Sequence, residues 1–312
     1  MKKRISLLLV FILILVSFVG CGAKETEEAS KLRVAYITMD MTSPYFIKMI
    51  EGMKEKAEEL GIELSIHDGK YQAQPQIDAM ETLIIQKVDA IILSANDPAA
   101  LQPMIEKAKE AGIKVVTANV EMENADAHVS LVEYDYGFTG GEIAGKYIKE
   151  NLNGQAEVAV LSFTQVPAVL DRVKGLKEGI KSQAPEAKIV FETEAYTREL
   201  GMNAVETALQ ANPNLNVVVG INDDAVLGGY EAMVAAERTG DDVVLVGLDA
   251  VDEAIVKIKE GGIYRGTVDI APFESGKIII ETTKTVIENG AIKEMIKFPM
   301  NAITPENIDQ FN

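Results

Sequence analysis

One unit recurs along most of this chain: a short run of β-branched and aliphatic residues, a polar turn, then a longer stretch with apolar residues three and four apart. The first copy is RVAYITMDMTSPYFIKMIEGMKEKAEEL, residues 33–60. Val34 opens the apolar run, and Phe46, Met49, Ile50, Met53, Ala57 and Leu60 follow at helical spacing. The pattern predicts a strand, a loop and an amphipathic helix. Later copies predict a strand over 62–67 with a helix over 74–87, a full unit over 88–112, and a strand over 113–118. Strand and helix pairs are then predicted over 128–132 and 137–149, 157–163 and 169–181, 188–193 and 200–210, 216–221 and 224–237, 243–248 and 252–260, and 264–269 and 273–288. A helix between successive strands returns the chain so that the strands run parallel, with helices on both faces of the sheet. The strands, about ten, are too many for one small sheet, so two sheets in two lobes are expected. The first crossing between lobes is placed near Tyr134 and Asp135.

Composition narrows the class. The 312 residues are 47% hydrophobic, enough for a large core, and the net charge of -18 would repel a phosphate backbone, so no nucleic-acid partner is expected. At the N-terminus, Lys2, Lys3 and Arg4 precede an apolar run over 7–19 broken by Ser17, followed by FVGCGA over 18–23. The run is short for a bilayer span, and its basic head suits a secretory signal. It resembles a bacterial lipoprotein signal, with Phe18 where Leu is usual. That resemblance implies removal of residues 1–20 and lipid on Cys21; the alternative is an uncleaved anchor helix. The charged stretch GAKETEEASK completes a tether over 21–31. With one cysteine, no intramolecular disulfide can form.

Polar residues gather where predicted strands end: Asn119, Asn222, Asp223, Asp249 and Asp269, accompanied by Tyr45, Phe46, Phe163 and Tyr196. In parallel α/β sheets, ligands bind beyond the carboxyl ends of the strands. Asn and Asp also collect there to cap helices. Asp97, followed by Pro98, reads as a cap, and so does Asp223. Asn119, with no obvious helix after it, and the aromatic pair Tyr45 and Phe46 read as ligand residues. The stretch GGEIAGK over 140–146 has P-loop spacing, but Tyr147 stands where Ser or Thr is needed and the glycines lie inside a predicted helix. No GxGxxG follows a strand, and no GxSxG occurs. His67 and His128 have no metal-ligand spacing. No catalytic residue, cofactor or metal is expected, and the chain reads as a binding protein rather than an enzyme.

From residue 32 to about 299, the stretches VAYITMDMTSPYF, VDAIILSANDPAAL, VVTANV, GGEIAGKYI, DRVKGL, GINDDAVLGGYEAM, VVLVGLDA and YRGTVDIAP occur in order. Together they resemble the type I periplasmic binding proteins of the ribose and galactose/glucose-binding group. The resemblance implies an α/β fold of two Rossmann-like lobes with parallel sheets, joined by a three-segment hinge. Lobe 1 would comprise residues 32–134 and 271–297, and lobe 2 residues 135–270 and 298–312. It implies ligand contacts from Tyr45, Phe46, Asn119, Tyr196, Asn222 and Asp249, with Leu248 replacing the family's Phe, and Leu170 and Asp269 are expected to line the same ligand site. Departures fall at Asn119-Val120, where ribose binders carry Asp-Arg; at Leu170, where the register expects a second Arg; and at Ile270, where neighbouring Asp269 compensates. The stretch GQAEVAVLSF holds no counterpart of the calcium loop. Loss of arginine forks removes fixed positive charge and predicts a small neutral ligand: a sugar, deoxy sugar, polyol or nucleoside. The expected protein is a monomer, lipid-anchored outside the bacterial cell membrane, that delivers this ligand to an ABC permease. The alternative partner is a membrane chemoreceptor or sensor kinase.

Overall fold

The computed structural model describes residues 31–163 and 167–311; Cys21 and the segments over 1–20 and 21–30 lie outside the described residues. The chain from Arg33 onward forms one compact unit. Its first part supplies β1 (Arg33–Thr38), β2 (Glu63–Asp68), β3 (Ala90–Leu93), β4 (Lys114–Ala118) and β5 (Ala127–Ser130), with helices α1 (Pro44–Glu59), α2 (Ala73–Gln86) and α3 (Pro98–Glu110) between the first four. The second part begins with α4 (Glu133–Asn151). It continues through β6 (Glu157–Ser162), α5 (Pro167–Gln183), β7 (Lys188–Glu194), α6 (Arg198–Ala211), β8 (Val217–Gly220), α7 (Asp223–Ala235), β9 (Val244–Val246), α8 (Asp252–Glu260) and β10 (Tyr264–Asp269). Helix α9 (Pro272–Asn289) and the short strands β11 (Ile296–Lys297) and β12 (Asn301–Ile303) follow.

Two six-stranded sheets result, ordered β11-β5-β4-β3-β1-β2 and β12-β10-β9-β8-β6-β7. Every pairing is parallel except β10 with β12, which is antiparallel. The sheets are parallel as expected but for this one edge, where β12 arrives from β11 of the other sheet at the carboxyl end of β10. Central strands such as AIIL of β3 and VVVG of β8 are buried throughout, as continuous apolar runs covered on both faces must be. Asp97 caps α3 as expected, its Oδ1 accepting from Ala100 N at 3.1 Å with Pro98 in the first turn.

Three helix pairs approach through reciprocal glycines. A Cβ on Gly52 of α1 would stand 1.9 Å from the Phe273 carbonyl oxygen of α9, and one on Gly276 would stand 2.0 Å from that of Met49. Gly141 of α4 meets the Leu176 carbonyl in the same way at 2.1 Å, and Gly201 of α6 meets the Ala225 carbonyl of α7 at 1.9 Å. The GGEIAGK glycines thus serve close helix packing, not phosphate.

Three connections join the sheets. Residues 131–132 leave the carboxyl end of β5 and enter α4, which packs against α5, β9 and β10. Residues 270–271 leave the carboxyl end of β10 and enter α9, which packs against α1, β4 and β5. Residues 298–300 pass from β11 to β12. Tyr134 and Asp135 lie in the first turn of α4, directly after the first connection, and Asp135 pairs with Lys297 of β11 at 2.6 Å. The carboxyl ends of both sheets therefore adjoin the connections.

Candidate binding site at the strand ends

On the first sheet, Asn119 leaves β4 with a left-handed φ of 69°. Its backbone is fixed by Val129 O, which accepts from Asn119 N, and by Ser130 Oγ, which donates to Asn119 O. Its amide donates to Tyr45 Oη at 2.8 Å, and its Oδ1 accepts from Ser94 Oγ at 3.1 Å. Ser94 Oγ lies 3.0 Å from the hydroxyl of Tyr36, and both residues are fully buried. The Tyr45 hydroxyl, accepting from Asn119, keeps its own hydrogen to give. Burial raises its pKa well above the ordinary tyrosine value, so it stays neutral. Phe46 is buried and stands edge-on to Tyr45 at 5.1 Å, supporting that ring from the core.

On the second sheet, Asp249 follows β9 with φ 104°, and its Oδ1 accepts from Tyr136 Oη at 2.8 Å. Solvent reaches its outer edge, yet protein crowds it on the remaining sides. That desolvation pushes its carboxyl up to about 6 against the pull of Tyr136 and Arg172. Arg172 lies over the Tyr136 ring at 4.8 Å, pairs through Nε with Glu133 at 2.7 Å, and donates through Nη1 to Ile221 O at 2.9 Å. Tyr196 packs on Phe163 with ring centroids 4.4 Å apart and is 41% exposed.

Asn222, not Asp223, caps α7. Its Oδ1 accepts from Ala225 N and its amide donates to Tyr196 O, both at 3.0 Å. The cap reading of Asp223 is one residue out, because Asn222 is the last extended residue and Asp223 already belongs to the helix. Asp223 is instead fully buried, accepting from Tyr264 Oη at 2.7 Å, Val251 N at 2.9 Å and Thr267 Oγ1 at 2.9 Å. Burial pushes its carboxyl up to about 7. Asp269 is also occupied locally: it accepts from Ala271 N at 2.9 Å and from the Asn301 amide at 3.3 Å, tying the second connection to β12.

Tyr45 and Asn119 are thus joined on one sheet, while Asp249, Tyr196 and Asn222 stand at the strand ends of the other. Leu170 is 46% exposed and makes no part of the Tyr136 cluster. Arg172, two residues beyond Leu170 and about 200° around the helix, places a guanidinium beside Tyr136 and pairs it with Glu133. The DRVKGL stretch contained it. Tyr136 and Ser94 carry no sequence signal of their roles, the first lying inside a predicted loop and the second in an unremarkable SAND sequence. A groove of about 890 Å³ runs between α4 and residues 302–307, and none of the candidate residues lines it.

Among the described residues the arrangement offers neutral donors, aromatic faces and the Asp249 carboxylate, with the Arg172 guanidinium matched by Glu133. That chemistry suits hydroxyl groups. Residues 34–291 match the profile of the periplasmic binding protein domain. The ribose import binding protein of Bacillus subtilis is 26% identical over 313 residues, covering 97% of this chain and 99% of its own length. The galactofuranose-binding protein of Escherichia coli is 28% identical, with 85% of each chain covered. Among solved structures, an ABC transporter periplasmic solute binding protein from Actinobacillus succinogenes with bound D-allose is 25% identical. It has a TM-score of 0.70 and covers 90% of this chain and 100% of that one.

Proposed function

Since this chain belongs to the periplasmic binding protein domain family, we propose that it is a solute-binding lipoprotein that holds a small neutral sugar or polyol between its two sheets. We further propose that it hands that solute to an ABC importer. The observation that carries the reading is the pairing of hydroxyl-binding groups on the two strand ends: Tyr45 with Asn119 on one, Asp249 with Tyr136 on the other. Asp249 and Glu133 outweigh Arg172 and disfavour an anionic solute, while Tyr45 and Tyr196 offer faces for a sugar ring. The names of the relatives, for ribose, galactofuranose and xylitol, favour a sugar or polyol over a nucleoside. Lobe 1 is proposed as residues 32–134 and 271–297, and lobe 2 as 135–270 and 298–312. Cys21 is proposed as the lipidated residue.

The test is a thermal-shift screen of pentoses, hexoses, polyols, nucleosides and sugar phosphates. A true ligand at 100 times its dissociation constant stabilises the native state by about 2.7 kcal/mol, a shift of several degrees. Hits confined to neutral sugars or polyols are expected; hits that are mainly anionic overturn the assignment. For the anchor, a Cys21→Ala protein that still fractionates with membranes as a processed chain overturns lipidation.

A further inference from the structure

We propose that Asp223 is the positioning residue of the second-sheet half-site: its buried carboxylate holds the turn over 249–251 in the shape that aims Asp249 at a solute. The proposal rests on Asp249 being a solute-binding residue. Asp249 and Ala250 take left-handed φ of 104° and 54° in succession, a conformation that glycine adopts easily and these two residues do not. Something outside the turn must hold it. Val251 N donates to Asp223 Oδ2 at 2.9 Å, closing the turn from one side. Ala250 N donates to Thr267 Oγ1 at 3.1 Å, and that hydroxyl donates in turn to Asp223 at 2.9 Å. Asp249 N donates to Val268 O at 3.0 Å, while Asp223 N donates to Leu248 O at 2.6 Å. The turn is thus gripped on both sides by one carboxylate, directly and through Thr267.

Gly247 makes the grip possible. A Cβ there would stand 2.1 Å from Asp223 Oδ1 and 2.3 Å from Tyr264 Oη. Among the described residues no cation pairs with Asp223, whose partners are Tyr264, Val251 and Thr267, and a fully buried carboxylate without one is costly. Stability alone would be better served by an apolar side chain, so the carboxylate is there for geometry. The groups around Asp249 are Tyr136, Arg172, Asp224 and Glu133. They act on Asp249 as a set only while the turn keeps it against Tyr136.

The experiment follows the Asp249 carboxyl carbon by NMR through a pH titration of aspartate-labelled protein without added solute, in wild type, Asp223→Asn and Thr267→Val. Thr267→Val keeps the Asp223 carboxyl and removes only the hydroxyl bridge, so it separates the bridge from the acid itself. In both variants the Asp249 midpoint is expected to move by about one pH unit or more, as the freed turn takes the carboxylate away from Tyr136 and Arg172. A midpoint unmoved in either folded variant overturns the proposal. If Asp223→Asn does not fold, Thr267→Val decides alone. Because no solute is present, a failed ligand screen leaves this result unmoved, and the two failures are distinguishable.

Discussion

Asn119 and Asn222 are both strand-end asparagines whose amides donate once and accept once, but they serve different partners. Asn119 joins side chains, Ser94 and Tyr45, whereas Asn222 joins backbone, Ala225 N and Tyr196 O. Asn119→Ala is therefore expected to weaken solute binding by about 1 to 3 kcal/mol in calorimetric titration, beyond the stability it loses with the Ser94 bond and the left-handed φ. Asn222→Ala should cost about 1 kcal/mol of stability in urea through the lost cap, with binding affected only through Tyr196. Equal losses of binding would contradict the distinction. Asp223 adds a pH dependence. Burial raises its carboxyl from 3.8 to about 7, so between these values the native chain holds a proton that the unfolded chain has released. Its contribution to stability is largest below about pH 4 and is lost as the pH rises to about 7. The melting temperature of wild type minus that of Asp223→Asn should fall over that range; a flat difference would remove Asp223 as the cause. At this scale the sequence revealed which positions stand at strand ends, since that follows from periodicity. It did not reveal what each side chain grips. Asp223 and Asn222 are neighbours of the same turn-forming type, and only the backbone angles at the helix start separate cap from buried acceptor.

The helix pairs reverse an ordinary rule. Gly→Ala inside a helix normally stabilises by roughly 0.5 to 1 kcal/mol. At Gly141 the added methyl would meet the Leu176 carbonyl oxygen at 2.1 Å, forcing α4 and α5 apart. Gly141→Ala should destabilise by about 1 to 3 kcal/mol in denaturant unfolding, and a stabilised variant would show that the pair slides freely. The glycines that imitate a P-loop were legible as helical because apolar residues around them keep a helical period. Their packing role was not, because it depends on which helix lies opposite. The longer elements were legible throughout, with ends shifted by a few residues. Helix α4 starts at Glu133 rather than 137, for its first turn, EYDY, has no repeated apolar position by which to recognise it. Strands β11 and β12, with 2 and 3 residues, are too short to show any period and are defined only by their partners.

Three connections at one end of two sheets make bending there the natural motion of the molecule, since each sheet with its helices is packed internally. Saturating solute is expected to reduce the radius of gyration in X-ray scattering; profiles identical with and without solute would exclude closure. The Lys297–Asp135 pair spans two of the connections and is exposed, so it can guide the angle without locking it. The same routing governs how the chain comes into being. Helix α9 covers α1 at the Gly52 contact, and β11 pairs the outer edge of β5, yet both are built from residues beyond 271. A growing chain that has made β1 to β5 therefore still shows a bare helix groove and a strand edge, and keeps them bare while the whole second sheet is synthesised. Native contacts so distant in sequence form late and slowly. Until then the first sheet resembles an unfinished substrate for chaperones, and completion of the fold reports that nearly the entire polypeptide has been made.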